Sequence, residues 1–179
     1  RQIGYKSGAG YIVPIVPAAI LFDLTIGKQG IRPTAEMGYQ ACENANSDPV
    51  PQGSVGAGTG ASVGKMSGTN RASKGGIGSA SVELDNGLII AALMAVNAVG
   101  DVIDEHGQIL AGIRTEDGTG FISSLDIMTA MFNSQLKSDA RENTVIGVVA
   151  TNAKLSKSHT HKVAQMAHDG IARAVNPSH

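Results

Sequence analysis

Apolar and polar positions along this chain fall into blocks of different period. From Gly10 to Leu24 apolar residues are interrupted by Pro14 and Pro17, which predicts an extended segment. Arg32-Pro33 then leads into Thr34 to Ala45, where Met37, Ala41 and Ala45 recur at helical spacing. A proline presets the first helical turn, so a short helix is expected there. Asn46 to Gly78 is rich in glycine, but Val55, Val63, Met66 and Ile77 punctuate it. That pattern favours a packed, functional loop over disorder. "SASVEL" alternates as a strand, Asp85-Asn86-Gly87 supplies a hairpin turn, and Leu88 to Asp104 reads as one long strand buried on both faces. Gly107 and Gly112 bracket a further short strand, Gln108 to Ala111.

Ser124 to Leu136 carries Leu125, Met128, Met131, Phe132 and Leu136 at helix-like spacing. The polar stretch Lys137 to Asn143 follows, and directly after it stands "TVIGVVATNA", a buried strand of β-branched residues. Ser158 to Val175 places Val163, Met166, Ala167, Ile171 and Ala174 on one face. It predicts an amphipathic helix capped by Ser158 and ended by Asn176-Pro177. There is no internal repeat. Central strands flanked by helices predict an α/β sandwich within one domain.

Composition narrows the function classes. At 42% hydrophobic, 16% charged and a net charge of -1, the chain has no basic excess for nucleic acid or a membrane surface. Aromatics make up 3% and tryptophan is absent, which disfavours base-stacking platforms. The longest apolar run, Tyr11 to Leu24, contains Pro14, Pro17 and Asp23 and is too short to span a bilayer. Cys42 stands alone, so no internal disulfide demands an oxidising compartment. A small buried residue on a helix is its expected role, and a cytoplasmic location is expected for the protein.

Familiar site motifs fail on inspection. The nucleotide pattern G-x-x-x-x-G-K-[ST] would need glycine at Thr59 and a hydroxyl at Met66. A dinucleotide fingerprint forced onto Gly56, Gly58 and Ala61 lacks the strand before it and the helix after it. His161 and His168 lie seven apart with no third ligand, so neither metal nor cofactor is expected. No nucleophile elbow occurs around Gly53-Ser54 or Gly78-Ser79. What remains is Asn143-Thr144, where a polar stretch meets the first residue of a strand. Cutting that bond would give Thr144 a free α-amino group with a pKa of roughly 8, able to act as base for its own hydroxyl.

Several blocks carry a resemblance: "VPIVPAAILFDL", "PQGSVGAGTGASVGK", "KGGIGSAS", "AVNAVGDV", "ENTVIGVVATNAKL" and "AQMAHDGIARAVNPSH". In this order, and almost end to end, the chain resembles the L-aminopeptidase/D-esterase (DmpA-like) family. That family includes β-aminopeptidases and 6-aminohexanoate (nylon) oligomer hydrolases. The resemblance implies a four-layer αββα sandwich and autoproteolysis between Asn143 and Thr144. Residues 1–143 would form the α part, and residues 144–179 the start of the β part. It also implies Thr144 as nucleophile, Asn97 of "VNAVG" as holder of the oxyanion, and Lys65, ending "GTGASVGK", as a further active-site cation. Phe22 stands where the nylon-oligomer hydrolase has tyrosine, so it marks the substrate pocket but lacks the hydroxyl donor. Small peptides, amino-acid amides or esters, and ω-amino-acid oligomers are the implied substrates, and a homo-oligomer, a tetramer of processed units, is the implied assembly.

The family's acidic D-G-D motif is expected beyond His179, and further strands before Arg1, which marks the sequence as a fragment incomplete at both ends. Two other readings stand beside hydrolysis: acyl transfer of the ornithine acetyltransferase kind, which shares the fold and a threonine nucleophile, and an inactive truncated relic.

Overall fold

The computed structural model describes residues 4–28, 30–134 and 144–178. Its elements run β1 (Tyr5–Lys6), β2 (Ile12–Val13), α1 (Ala35–Glu43), a single 3-10 turn (Gly56–Gly58), β3 (Ser62–Val63), β4 (Ser73–Lys74), β5 (Gly76–Glu83), β6 (Ile89–Asn97), β7 (Asp101–Ile103), β8 (Ile109–Ala111), β9 (Ile113–Arg114), β10 (Phe121–Ile122), α2 (Ser124–Asn133), β11 (Thr144–Thr151), α3 (Lys157–Ala174) and β12 (Val175–Asn176). The class is mixed α/β, with small sheets and three helices among the described residues.

The main sheet is antiparallel, in the order β11-β6-β5. Its hairpin forms where Asp85-Asn86-Gly87 predicts it. Leu84 and Leu88 close the turn, and Gly87 takes φ 76°, a left-handed conformation that suits glycine. At the far side Asn152 clamps the hairpin to β11: its side-chain oxygen accepts from Ile89 N at 2.9 Å, and its amide donates to the Gly87 carbonyl at 2.9 Å. A slip of one residue would turn every side chain of β11 to the other face. Asn152 therefore helps to hold the register that ends with Thr144 opposite Asn97.

The expected long strand to Asp104 is broken. β6 stops at Asn97, and β7 starts at Asp101 in another sheet, β12-β7-β8. The break arises because residues 99 and 100 pair with the glycine-rich loop: Gly64 N donates to Gly100 O and Lys65 N to Val99 O. Gly100 lies flat against Pro177, where a Cβ would collide with the backbone. Extended backbone alternates its side chains, so Ala98 and Val99 enter different cores. Ala98 packs with Val63 and Val175, and Val99 with Met66 and Ile113.

Other expectations are corrected in detail. Ser156, not Ser158, caps α3, accepting from His159 N. On α3 only Val163, Ala167 and Ile171 are half-buried, while Met166 and Ala174 are exposed. Cys42 lies on α1 as expected but is exposed, because α1 buries no residue. β6 and β11 are not covered on both faces. Ile89, Ile90 and Leu93 are exposed, and Val148 is 63% exposed on a strand that, among the described residues, has a single neighbour. No described helix is long and apolar enough to cross a membrane.

Candidate active site

Asn97 is the last residue of β6 and is 0% exposed. An asparagine at a hairpin end commonly bonds its own backbone, but here every side-chain partner is distant in sequence. Its Oδ1 accepts from Ser62 N at 3.0 Å and from Lys65 Nζ at 2.8 Å. Its Nδ2 donates to the Phe22 carbonyl at 2.8 Å. Two donors on one side and one acceptor on the other leave a single sensible orientation of the amide.

Lys65 is only 4% exposed, against the usual habit of a loop lysine. It gets there because Gly64 adopts φ 69° and turns the chain directly after β3. Gly64 also lies against Gly112 and Ile113 so closely that a Cβ would strike their backbone. The Lys65 side chain folds back on Asn97, donating to its backbone carbonyl at 3.2 Å as well as to its Oδ1.

Several glycines of the loop are required by close approach to neighbouring backbone. A Cβ on Gly75 would meet the Val96 carbonyl, and one on Gly58 the backbone of Gly76 and Ile77. The loop thus lies flat on β5 and β6, and its backbone places Ser62 and Lys65 around Asn97.

Thr144 opens β11 and is half-buried. The ladder pairs it with Asn97. Directly opposed residues of an antiparallel pair project to the same face, with Cβ atoms roughly 5 Å apart. A hydroxyl and a side-chain amide are thereby set side by side at one end of the sheet. Asn143, the other half of the expected cleavage point, lies outside the described residues.

Phe22 is 41% exposed, and its backbone carbonyl touches the cluster. The contributions of Ser62 N and Phe22 O were not legible from residue types, because both are backbone groups. Their only trace is that they fall within the glycine-rich and proline-rich blocks. Among the described residues, no group of three or more His, Cys, Asp or Glu is placed to hold a metal ion.

Residues 4–179 match the sequence profile of Peptidase family S58. An uncharacterized aminopeptidase of Mycobacterium leprae is 41% identical over 178 residues, covering 95% of this chain and 47% of that protein. An uncharacterized aminopeptidase of Mycobacterium tuberculosis H37Rv is 37% identical over 189 residues, covering all of this chain and 50% of that protein. A 6-aminohexanoate-oligomer endohydrolase of Kocuria sp. is 28% identical over 180 residues, again all of this chain and 50% of that protein. The chain spans about half the length of these relatives.

Proposed function

The chain belongs to Peptidase family S58, and from that premise we propose that it is part of a self-processing amide hydrolase whose nucleophile is Thr144. The observation that carries the reading is the pairing of Thr144 with a buried Asn97 whose amide is held by Lys65, Ser62 and Phe22. Relatives named as aminopeptidases and as an oligomer endohydrolase support the same reaction class.

Cleavage between Asn143 and Thr144 frees the Thr144 α-amine. The Thr144 hydroxyl then attacks the substrate carbonyl, and the amine takes its proton. Negative charge develops on the carbonyl oxygen. The Asn97 amide has two hydrogens, of which Phe22 O takes one, and the second is directed to that oxygen. Lys65 acts chiefly by holding the Asn97 oxygen, so that Nδ2 faces the reaction, and its charge favours the oxyanion. The leaving amine takes the proton from the α-amine, and water then hydrolyses the acyl-enzyme.

The substrates are small: short peptides, amino-acid amides, or ω-amino-acid oligomers. Phe22 provides an apolar wall without a hydroxyl. In the complete protein the sheets form a four-layer αββα sandwich, and processed units assemble as a homotetramer.

Expression of the complete reading frame tests this directly. Wild type gives two bands on a denaturing gel, and Thr144→Ala gives one uncut band and no hydrolysis of p-nitroanilides or aminohexanoate oligomers. An uncut wild-type protein, or an active Thr144→Ala protein, overturns the reading.

A further inference from the structure

A second polar site lies on the hairpin that follows Lys65. Arg71 ends that turn before β4, and Arg114 ends β9. Their backbones are joined, with Arg114 N donating to Arg71 O at 2.8 Å. Their side chains cross: Arg71 Nε donates to Arg114 O at 2.9 Å, and Arg114 Nη2 donates to Asn70 O at 2.9 Å. Each guanidinium is thus anchored by one N–H and keeps most of its donors. Between them opens a cavity of about 370 Å³, lined by Asn70, Arg71, Arg114, Thr115, Glu116 and Gly118.

Two guanidinium groups fixed on one cavity repel each other unless an acid stands between them. Neither forms an ion pair among the described residues. Asp117, three residues after Arg114, is exposed and engaged by its own loop, where its carboxylate accepts from the Thr115 hydroxyl and from the Thr119 amide and hydroxyl. Glu116 lines the cavity without pairing to either arginine. Arginine forks match two oxygens of one carboxylate or phosphate, which lysine does not do.

We propose that Arg71 and Arg114 form a binding site for a small oxyanion, a carboxylate or a phosphate, separate from the Thr144–Asn97 pair. Their reciprocal backbone anchors preorganise the two forks, so little side-chain freedom is lost on binding. Glu116 at the rim opposes an anion and tunes the affinity downward.

Calorimetric titration of the intact protein with inorganic phosphate and with succinate, at low constant ionic strength, tests the site. Saturable binding of at least one probe is expected. Arg71→Gln and Arg114→Gln should each weaken it by about tenfold or more, and Glu116→Gln should strengthen it a few-fold. Arg71→Lys keeps the charge and loses the fork, so it should weaken binding while leaving the thermal midpoint near wild type. A preference for phosphate identifies a phosphate-bearing ligand, and a preference for succinate a carboxylate. No saturable binding of either probe, equal displacement by chloride at matched ionic strength, or unchanged affinity in the Arg71/Arg114 double variant overturns the proposal.

Discussion

The Lys65 ammonium bonds both oxygens of Asn97, the side-chain Oδ1 at 2.8 Å and the backbone carbonyl at 3.2 Å. A single charge therefore fixes the end of β6 and the amide that projects from it. Lys65→Met keeps the length of the side chain and removes this hold. The Ser62 N bond alone then orients Oδ1. Misplacing a catalytic group by about 1 Å costs on the order of 100-fold in rate. The expected outcome is a loss of 10- to 100-fold, on this scale, falling mainly on kcat in steady-state assays. An equal loss confined to KM would show that Lys65 acts on substrate binding instead.

Asn97 carries more of the structure than Lys65. Asn97→Ala leaves Ser62 N and the Phe22 carbonyl without this partner and takes from the Lys65 ammonium its bond to Oδ1, while its bond to the residue 97 carbonyl stays. Each orphaned group costs about 1–3 kcal/mol. A destabilisation of roughly 3–5 kcal/mol is expected in urea unfolding. Asn97→Asp keeps the shape and the bonds to Lys65 and Ser62, but turns an acceptor toward Phe22 O. It should fold with a smaller loss and, if Asn97 donates to the oxyanion as proposed, be inactive, because a carboxylate cannot donate.

Asn152 offers a test far from the chemistry. It bonds Ile89 N and Gly87 O at the opposite end of the β6–β11 ladder from Thr144. Asn152→Ala removes two hydrogen bonds, each with a net worth of about 1 kcal/mol. A destabilisation of about 1–2 kcal/mol is expected, with faster amide exchange in β11 before any change elsewhere. If amides of β11 and β5 accelerate equally, Asn152 does not act on the register.

How far the sequence reveals this molecule depends on which groups carry each feature. The Gly87 hairpin and α1 after Pro33 follow from turn chemistry and side-chain period, both local. The break after Asn97 does not, because apolar residues continue through Ala98 and Val99. What ends β6 is pairing of residues 99 and 100 with Gly64 and Lys65, a backbone event distant in sequence. The same limit hid Ser62 N and Phe22 O. The burial of Lys65 was equally silent, since only the turn at Gly64 directs the side chain inward. Strand composition speaks for cover on both faces of β11, which is rich in Val and Ile, whereas among the described residues β11 pairs with β6 alone and Val148 is exposed.

Glycines of similar φ should respond unequally to alanine. Gly64 (φ 69°) and Gly87 (φ 76°) both lie in the left-handed region. A Cβ at Gly87 meets open space, whereas one at Gly64 strikes Gly112 and Ile113 backbone. Gly87→Ala should cost about 1–2 kcal/mol from the backbone conformation alone. Gly64→Ala adds a collision with main chain that cannot swing away, so a loss above about 3 kcal/mol is expected. Because Gly64 also aims Lys65, the variant should lose activity at temperatures where it is still folded. Equal unfolding midpoints for the two variants would remove the close packing of Gly64 from the account.

Asp117 supplies a dependence on acid. Hydrogen bonds from the Thr115 hydroxyl, then from the Thr119 amide and hydroxyl, lower its pKa from 3.8 to about 2. These donors favour the charged carboxylate in the folded loop. A folded pKa below the unfolded one means that the contribution to stability is fully present above about pH 3.8. It declines as the pH falls toward 2 and is gone below that value. Asp117 is exposed, so the effect is local to the loop from Thr115 to Gly120. Carbon-detected titration of the Asp117 carboxyl should give a midpoint near 2, and Thr115→Val should move it back toward 3.8. Asp117→Asn should flatten the acid limb of stability between these two pH values without changing it at neutral pH by more than the lost loop bonds. A carboxyl that titrates at the ordinary position in the folded protein would show that the threonine bonds do not hold it in solution.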